Sequence, residues 1–278
     1  MKRFSLLVAA SVSCMLFQSA QATLLFSDGF NYPTPGTLGG NVNPGSGFTW
    51  GPGNNAMTVG NANLTYAGLQ DLGGNDFSVG WGGGSAGSIT NGFANVTSGT
   101  IYYSFLLDVT TAPGANSYLT SLNPGTSAPN GSSDAITMYF GTVTGGNGYR
   151  LGIRGGGAST VNTPAASPYS LNTTYLIVLG YNFNGGVANN NLSLWINPTA
   201  GGSMPTADLT LTPTTVATSI DNIGFKVQGA PAGLFLIDNI FVGTTWADVT
   251  PLAVPEPTVC VVAGLGMLGL VFARRMRS

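Results

Sequence analysis

Charged side chains are scarce in this sequence, and some types are missing altogether. Histidine is absent, the single glutamate is Glu256, and 8 Lys plus Arg stand against 10 Asp plus Glu in 278 residues. Charged residues make up 6% of the chain, against about 25% in an ordinary soluble domain. A nucleic-acid-binding protein needs a basic face to neutralise phosphates, so this inventory excludes nucleic acid as a partner.

The two cysteines, Cys14 and Cys260, both lie in apolar segments near the ends of the chain. The region between them can therefore form neither a disulfide nor a thiolate metal site. Because it also lacks His and Glu, it cannot hold a Ser-His-Asp set, a Cys-His set or a glycosidase pair of glutamates. Its aspartates show no recognisable acid and nucleophile spacing. We predict that the protein is not an enzyme, with a hydrolase built on an unusual aspartate pair as the alternative.

Residues 1–22 have the pattern of a secretory signal peptide. Lys2 and Arg3 precede an apolar stretch at 4–17, and Ala20-Gln21-Ala22 supplies the small residues that signal peptidase accepts. We predict an N-terminal signal helix, cleavage after this triplet and export by the Sec machinery. Lipidation of Cys14 is the alternative, although it would leave an unusually short apolar region.

A second apolar segment, residues 259–273, is followed at once by Arg274, Arg275 and Arg277. As a helix it would reach roughly 22 Å, and snorkelling arginines with local thinning can bridge the ~30 Å hydrocarbon core. We predict a C-terminal transmembrane helix with its arginines in the cytoplasm and the preceding chain outside the inner membrane. A buried core helix is the alternative, which the all-round apolar surface disfavours.

The same tail, residues 252–278, carries a resemblance to a known sorting signal. The segment Val254-Pro255-Glu256-Pro257, the short apolar helix and the terminal Arg274-Arg275-Met276-Arg277 resemble the PEP-CTERM domain of Gram-negative bacteria. The resemblance implies a protein held transiently in the inner membrane, recognised near Pro-Glu-Pro and cleaved by an exosortase. It also implies a place at the cell surface or outside the cell, in association with exopolysaccharide and biofilm.

Residues 23–251 have the composition of one all-β domain. They contain 39 of the 42 glycines, which indicates many turns and few helices. Apolar residues recur at every second position of 101–109, as in a strand with one face on a core. Further runs of strand character are 135–143, 149–154, 175–183, 192–196, 220–227 and 234–242. Glycine-rich turns between them predict an antiparallel sandwich or barrel, in which 175–183 is a central strand and forms a hairpin with 192–196.

Both ends of this domain resemble concanavalin-like, LamG-type jelly rolls. Ile237-Asp238-Asn239-Ile240 is followed by Val242-Gly-Thr-Thr-Trp-Ala-Asp-Val249, as in the final strand of that group. Phe26-Ser27-Asp28-Gly29-Phe30-Asn31-Tyr32 is similar to the first segment of such domains. The resemblance implies an antiparallel two-sheet jelly-roll sandwich whose termini lie side by side, a fold shared by lectins, glycosidases and structural modules.

Two tryptophans and one acidic loop are candidate binding residues. Sugars present apolar faces ringed by hydroxyls, so open aromatic rings beside polar groups suit them. Trp81, in a glycine-rich loop, and Trp195, on a strand, are the candidate rings, with packing on the sandwich as the alternative. Asp71, Asn75 and Asp76 could supply oxygen ligands to calcium, or could act as turn formers that bond local backbone. We predict no other cofactor.

The domain holds three cations, Arg150, Arg154 and Lys226, against nine aspartates, a net charge of −6. Arg150 and Arg154 alternate with apolar residues, so both face the same side of their strand. They could bind an anionic polysaccharide, or could be solvated charges that keep an edge strand from pairing. The negative net charge favours the second interpretation.

We therefore expect an exported, exosortase-sorted structural protein of the cell surface or extracellular matrix. The alternative is a non-catalytic carbohydrate-binding surface module that contacts extracellular polysaccharide. The exposure of the candidate rings separates the two, because stacking on a sugar requires an open ring face.

Overall fold

A computed structural model describes most of the central domain. The described residues are 24–33, 36–51, 57–60, 62–73, 77–80, 87–111, 114, 117–125, 134–141, 143, 148–156, 168–184, 190–227 and 234–253. The predicted signal peptide, sorting motif and transmembrane helix lie outside them, as do Trp81, Asn75 and Asp76. Within these ranges, no helix is long and apolar enough to cross a membrane.

The described residues form fourteen strands and one short helix. In chain order these are β1 (Leu24–Asp28), β2 (Gly36–Thr37), β3 (Met57–Val59), β4 (Phe77–Gly80), β5 (Gly87–Val96), β6 (Gly99–Thr111), β7 (Ser117–Asn123), β8 (Ile136–Gly141), β9 (Arg150–Arg154), β10 (Thr174–Phe183), β11 (Asn191–Ile196), β12 (Leu209–Leu211), β13 (Ile220–Val227), β14 (Leu234–Gly243) and α1 (Trp246–Val249). All seven predicted strand runs are confirmed within a residue or two of their ends.

The strands form two sheets, and every pairing between the described strands is antiparallel. The larger sheet has nine strands in the order β12-β11-β10-β6-β14-β4-β3-β2, with β1 also paired to β14. The smaller sheet has five strands in the order β5-β13-β7-β8-β9. This all-β architecture of two antiparallel sheets is consistent with the expected jelly roll.

The two sheets enclose one apolar core. Ile101, Tyr103 and Phe105 of β6 pack from the larger sheet, and Ile223 and Phe225 of β13 pack from the smaller one. All five are essentially inaccessible to solvent. Since the period of two sends alternate side chains to opposite faces, the other face of each strand must be polar or covered.

A second apolar cluster covers the outer face of the larger sheet. It joins Leu106, Leu176 and Val178 of the sheet to the segment 62–73, to Ala200 and to α1. Strand β10 therefore has apolar cover on both faces, as predicted, and pairs with β11 as the predicted hairpin. The pairing of β1 with β14 confirms that the two ends of the domain lie side by side.

Candidate functional site

The smaller sheet has one apolar face and one polar face. Its register pairs Asn222 of β13 with Gly92 of β5 and with Asn123 of β7, so these three lie on the face away from the core. Other members of this polar face are Ser88, Thr90, Ser121, Gly224, Lys226, Tyr118, Thr137, Tyr139, Arg150, Gly152 and Arg154. We name this set the polar face. Ser121, Asn123, Thr137, Tyr139 and Asn222 are buried in this face, whereas Tyr118, Arg154 and Lys226 are half-buried and Arg150 is exposed.

A groove of about 590 Å³ opens where the polar face meets strand β5, at one edge of the sheet. Its walls are formed by Phe48, Thr49, Gly51, Thr90, Asn91, Gly92, Phe93, Asn95, Asp221 and Asn222. Two stretches of the sheet and one loop therefore meet there, although they are far apart in the sequence. We name this space the edge groove.

The aromatic wall of the edge groove is Phe48, whose side chain is 49% exposed. A Cβ added to Gly92 would lie 3.2 Å from Cδ1 of Phe48, so the ring rests against this glycine of β5. The loop also docks on the same strand through Gly51, whose N–H donates to the carbonyl of Thr90 at 2.8 Å. An exposed ring held over a strand backbone is a ready surface for the apolar face of a ligand.

A buried asparagine fixes the loop that carries Phe48. The side-chain oxygen of Asn43 accepts from the N–H groups of Gly45 and Ser46 at 3.0 and 2.7 Å. Its amide nitrogen donates to the carbonyl of Ser27 in β1 at 2.9 Å, and its backbone N–H donates to the carbonyl of Phe48 at 2.8 Å. The ring is therefore pre-positioned, which reduces the entropy lost on binding.

Trp50 anchors the same loop to the core. Its ring is fully buried and stacks on Phe225 with centroids 5.8 Å apart. The indole N–H donates to Oδ2 of Asp28 at 2.9 Å, and Oδ2 also accepts from the hydroxyl of Tyr32 at 2.6 Å. Burial raises the pKa of Asp28, although these donors oppose the shift. Asp28 therefore serves the loop as a buried acceptor.

The polar wall of the edge groove contains an acceptor that lacks a donor. Oδ1 of Asn222 is buried and has no hydrogen-bond partner among the described residues. Asn222 is 2% exposed and lies on the polar face, so a hydroxyl or amide of a ligand in the groove could satisfy that oxygen. The neighbouring Asp221 also lines the groove, and one of its oxygens accepts from the N–H of Gly125.

Asn91 borders the groove on the other side of β5. It pairs with Ile223, so its side chain lies on the core face of the sheet between Ile89 and Phe93. The residue is 1% exposed, and neither its amide nitrogen nor its amide oxygen has a hydrogen-bond partner in the described part of the chain. An unsatisfied buried amide destabilises a fold, so this position bears on stability.

Trp195 is 5% exposed and belongs to the apolar cluster outside the larger sheet. Its ring lies 5.1 Å from that of Trp246 and 6.1 Å from that of Tyr102, and its N–H donates to the carbonyl of Pro205. It therefore offers no open face for stacking on a sugar. The other candidate ring, Trp81, lies outside the described residues.

Only Asp71 of the three candidate calcium ligands is described. Its Oδ1 accepts from the N–H of Gly73 at 2.7 Å, and its Oδ2 accepts from the amide of Asn63 at 2.9 Å. These are the local bonds of a turn-forming aspartate. Among the described residues, no group of three or more His, Cys, Asp or Glu side chains comes together as a metal site.

Sequence reasoning did not find the residues of the edge groove. Phe48 follows Pro44-Gly45-Ser46-Gly47, the kind of glycine-rich setting that singled out Trp81. The run 220–227 was predicted as a strand, and its alternation already places Asn222, Gly224 and Lys226 on one face. The pairing of this strand with β5, which completes the groove, has no local signature.

No protein-family model and no curated protein sequence matches this chain. Solved structures that resemble it include an endo-β-1,4-glucuronan lyase from the fungus Trichoderma reesei, with 13% identity, a TM-score of 0.49 and coverage of 84% of this chain and 100% of that one. Lectin UEA-II complexed with galactose has 12% identity and a TM-score of 0.45, and the match covers 80% of this chain and 98% of that one. A sialidase has 12% identity and a TM-score of 0.47, and the match covers 82% of this chain. It covers 19% of the sialidase, so this chain spans about a fifth of the sialidase's length. Similarity at this level does not assign a function to this chain.

Proposed function

We propose that the protein is a non-catalytic carbohydrate-binding module that takes sugar rings into the edge groove. The observation that carries the proposal is the pairing of an open ring, Phe48, with a buried acceptor, Asn222, across one groove. A sugar offers a matching combination, because its apolar C–H face can lie on the ring while a hydroxyl donates to the amide oxygen. Asp221 adds a carboxylate that can accept from a second hydroxyl.

The composition of the groove supports binding without catalysis. Among the described residues that line it, Asp221 is the one ionisable side chain. Hydrolysis of a glycosidic bond by the usual route needs two carboxyl groups, an acid and a nucleophile or base, roughly 5–10 Å apart. A second carboxyl group is not supplied by the described lining, so the groove is suited to hold a saccharide rather than to cleave it.

The proposed setting of this module is the outside of a Gram-negative cell. Its support is the sequence alone: an N-terminal signal peptide and the tail from Val254 to Arg277, which resembles a PEP-CTERM signal. In this setting the Sec machinery exports the chain, the tail helix holds it in the inner membrane, and an exosortase processes it near Pro255-Glu256-Pro257. The module would then contact extracellular polysaccharide at the cell surface or in the matrix.

Binding of saccharides by the full-length chain in a non-ionic detergent tests the proposal. The chain is applied to a glycan array and to exopolysaccharide isolated from the producing cells, and the affinity of the best saccharide is measured by calorimetry. Full burial of a Phe side chain contributes about 1.5–3 kcal/mol, and Phe48 is 49% exposed. Covering its open half should therefore contribute about 1–1.5 kcal/mol, so Phe48→Ala should weaken binding about tenfold.

Met204 provides a matched control for Phe48. It is 50% exposed, but it contacts Tyr102 on the larger sheet, away from the edge groove. Met204→Ala should leave the affinity unchanged within twofold. Retention of no saccharide above the detergent blank, or equal losses in the two variants, would overturn the proposal.

A further inference from the structure

The polar face carries a row of cations and tyrosines beyond the edge groove. The row crosses four neighbouring strands in the order Lys226 on β13, Tyr118 on β7, Tyr139 on β8 and Arg154 on β9. With strands about 4.8 Å apart, it spans roughly 14 Å. We name these four residues the cation–tyrosine row.

The contacts within the row are close. Nζ of Lys226 lies 5.0 Å from the ring centroid of Tyr118, and the rings of Tyr118 and Tyr139 lie 4.6 Å apart. Cζ of Arg154 lies 5.9 Å from the ring centroid of Tyr139, and its Nη1 donates to the hydroxyl of that tyrosine at 3.1 Å. Lys226 and Arg154 therefore lie at opposite ends of a pair of phenol rings that are tilted by 44° to each other.

The charge distribution makes this row distinctive. Residues 23–251 hold three cations, Arg150, Arg154 and Lys226, and the strand registers place all three on the polar face. Within the described ranges, Nε of Arg154 is buried without a hydrogen-bond partner. A domain with a net charge of −6 thus concentrates its positive charge on one surface.

Arg154 is not simply a solvated charge that keeps the edge strand from pairing with another strand. Strand β9 is the edge strand of the smaller sheet, as the edge-charge interpretation expects, and Arg150 is exposed there. Arg154 is instead half-buried and turned over Tyr139 of the neighbouring strand. A guanidinium in that position presents donors toward the polar face, where a planar carboxylate can accept two of them.

We propose that the cation–tyrosine row makes this module selective for acidic saccharides, those that bear carboxylate groups on the sugar rings. This inference rests on the proposed function and adds the substrate class. Lys226 and Arg154 would each receive a carboxylate, while the half-buried ring of Tyr118 between them receives a sugar ring. Tyr139 is 1% exposed and positions the guanidinium of Arg154 through its hydroxyl. Neutral rings of the same chain would occupy the edge groove, where Asp221 disfavours an anion.

A nucleic acid fits this surface less well than an acidic saccharide does. Duplex DNA carries one negative charge per ~1.7 Å of its length and needs several basic contacts to bind. The row offers two cations over roughly 14 Å, within a domain whose nine aspartates outnumber its cations. One charge per sugar ring matches the spacing of the row more closely.

Matched pairs of oligosaccharides test the inference. The full-length chain in a non-ionic detergent is titrated with oligomers of galacturonate, mannuronate and glucuronate, and with the fully methyl-esterified form of each, which keeps the backbone and removes the charge. At least one acid should bind tenfold or more tighter than its ester at low salt. Added salt should remove most of this difference, because ions screen the cations.

Variants assign the selectivity to the row. Lys226→Gln and Arg154→Gln should each weaken binding of the acid by fivefold or more and leave binding of the ester within twofold. Arg150→Gln is the matched control, because it removes the same charge from an exposed position on the same face that lies outside the cation–tyrosine row. It should change either affinity by less than twofold.

The outcomes separate the inference from the proposed function. Equal binding of acids and esters, or equal losses in the three variants, would overturn acid selectivity and leave carbohydrate binding intact. Absence of binding to every saccharide would overturn both. Tighter binding to a DNA duplex than to any acidic oligomer would overturn the inference in favour of a polyanion site.

Discussion

Replacing Asn91 with leucine should stabilise this protein, although substitutions of buried residues usually destabilise. Asn91 is 1% exposed, and both polar atoms of its amide lack partners among the described residues. Each unsatisfied buried polar group costs about 1–3 kcal/mol. Leucine has the same branching and the same number of side-chain heavy atoms, and it suits a position between Ile89 and Phe93.

The expected gain in stability is the difference between two opposing effects of the Asn91→Leu substitution. Two unsatisfied atoms set an upper limit of about 2–6 kcal/mol, and the slightly larger methyl groups oppose it by about 1–3 kcal/mol if the core resists them. We expect Asn91→Leu to raise the free energy of unfolding by about 1–3 kcal/mol. In a domain of 150–250 residues this corresponds to about 2–12 °C in Tm. Circular dichroism during thermal and urea unfolding measures both quantities.

Asn190 is a matched control for Asn91. It is also buried, at 3% exposure, but its oxygen accepts from the N–H of Asn184 and its nitrogen donates to the hydroxyl of Tyr181, each at 2.8 Å. Asn190→Leu removes those bonds and should lower the free energy of unfolding by about 1–3 kcal/mol. Equal destabilisation by the two substitutions would refute the reasoning, because it would mean that the amide of Asn91 is satisfied in the folded protein.

Two other positions give predictions on stability. Asn43→Ala removes three side-chain hydrogen bonds that shape the Phe48 loop, and it should lower the free energy of unfolding in urea by about 2–4 kcal/mol; a loss below 0.5 kcal/mol would contradict a buried, fully bonded Asn43. Burial raises the pKa of Asp108 above the ordinary value of an aspartate, so the folded state holds this proton more tightly than the unfolded state. The stability that Asp108 contributes is present below pH 3.8 and is lost as pH rises through the folded pKa. Asp108→Asn should therefore stabilise the protein more at pH 7 than at pH 4 in urea unfolding, and an equal effect at both would contradict the raised pKa.

Local sequence patterns predicted the strands well where side chains alternate. Strand β6 and its neighbours β10 and β14 have long regular runs, and each was predicted nearly to its ends. Strands β5 and β7 were not predicted. Asn91 and Gly92 interrupt the apolar alternation of β5, and β7 is buried along most of its length although it is rich in Ser and Thr. Burial of these two strands is decided by sheet pairing, which no local pattern records.

The edge groove could not be predicted for a related reason. Phe48 and Asn222 are far apart in the sequence, and they meet because β13 pairs with β5 while Gly51 docks on Thr90. The sequence itself shows only the alternation within β13. It places Asn222 and Lys226 on one face, but it cannot say which loop closes over that face.

The two sheets differ in what covers their outer faces, and this difference locates the binding surface. The larger sheet buries its outer face under the segment 62–73, Ala200 and α1, and Trp195 is part of that cover. Trp195, one of the two candidate sugar-binding rings, therefore covers one side of the sandwich. The smaller sheet has the polar face instead, on which the acceptor of Asn222 and the three cations are collected. Because apolar cover and polar ligand contacts exclude each other on one sheet face, a saccharide should reach this domain through the smaller sheet.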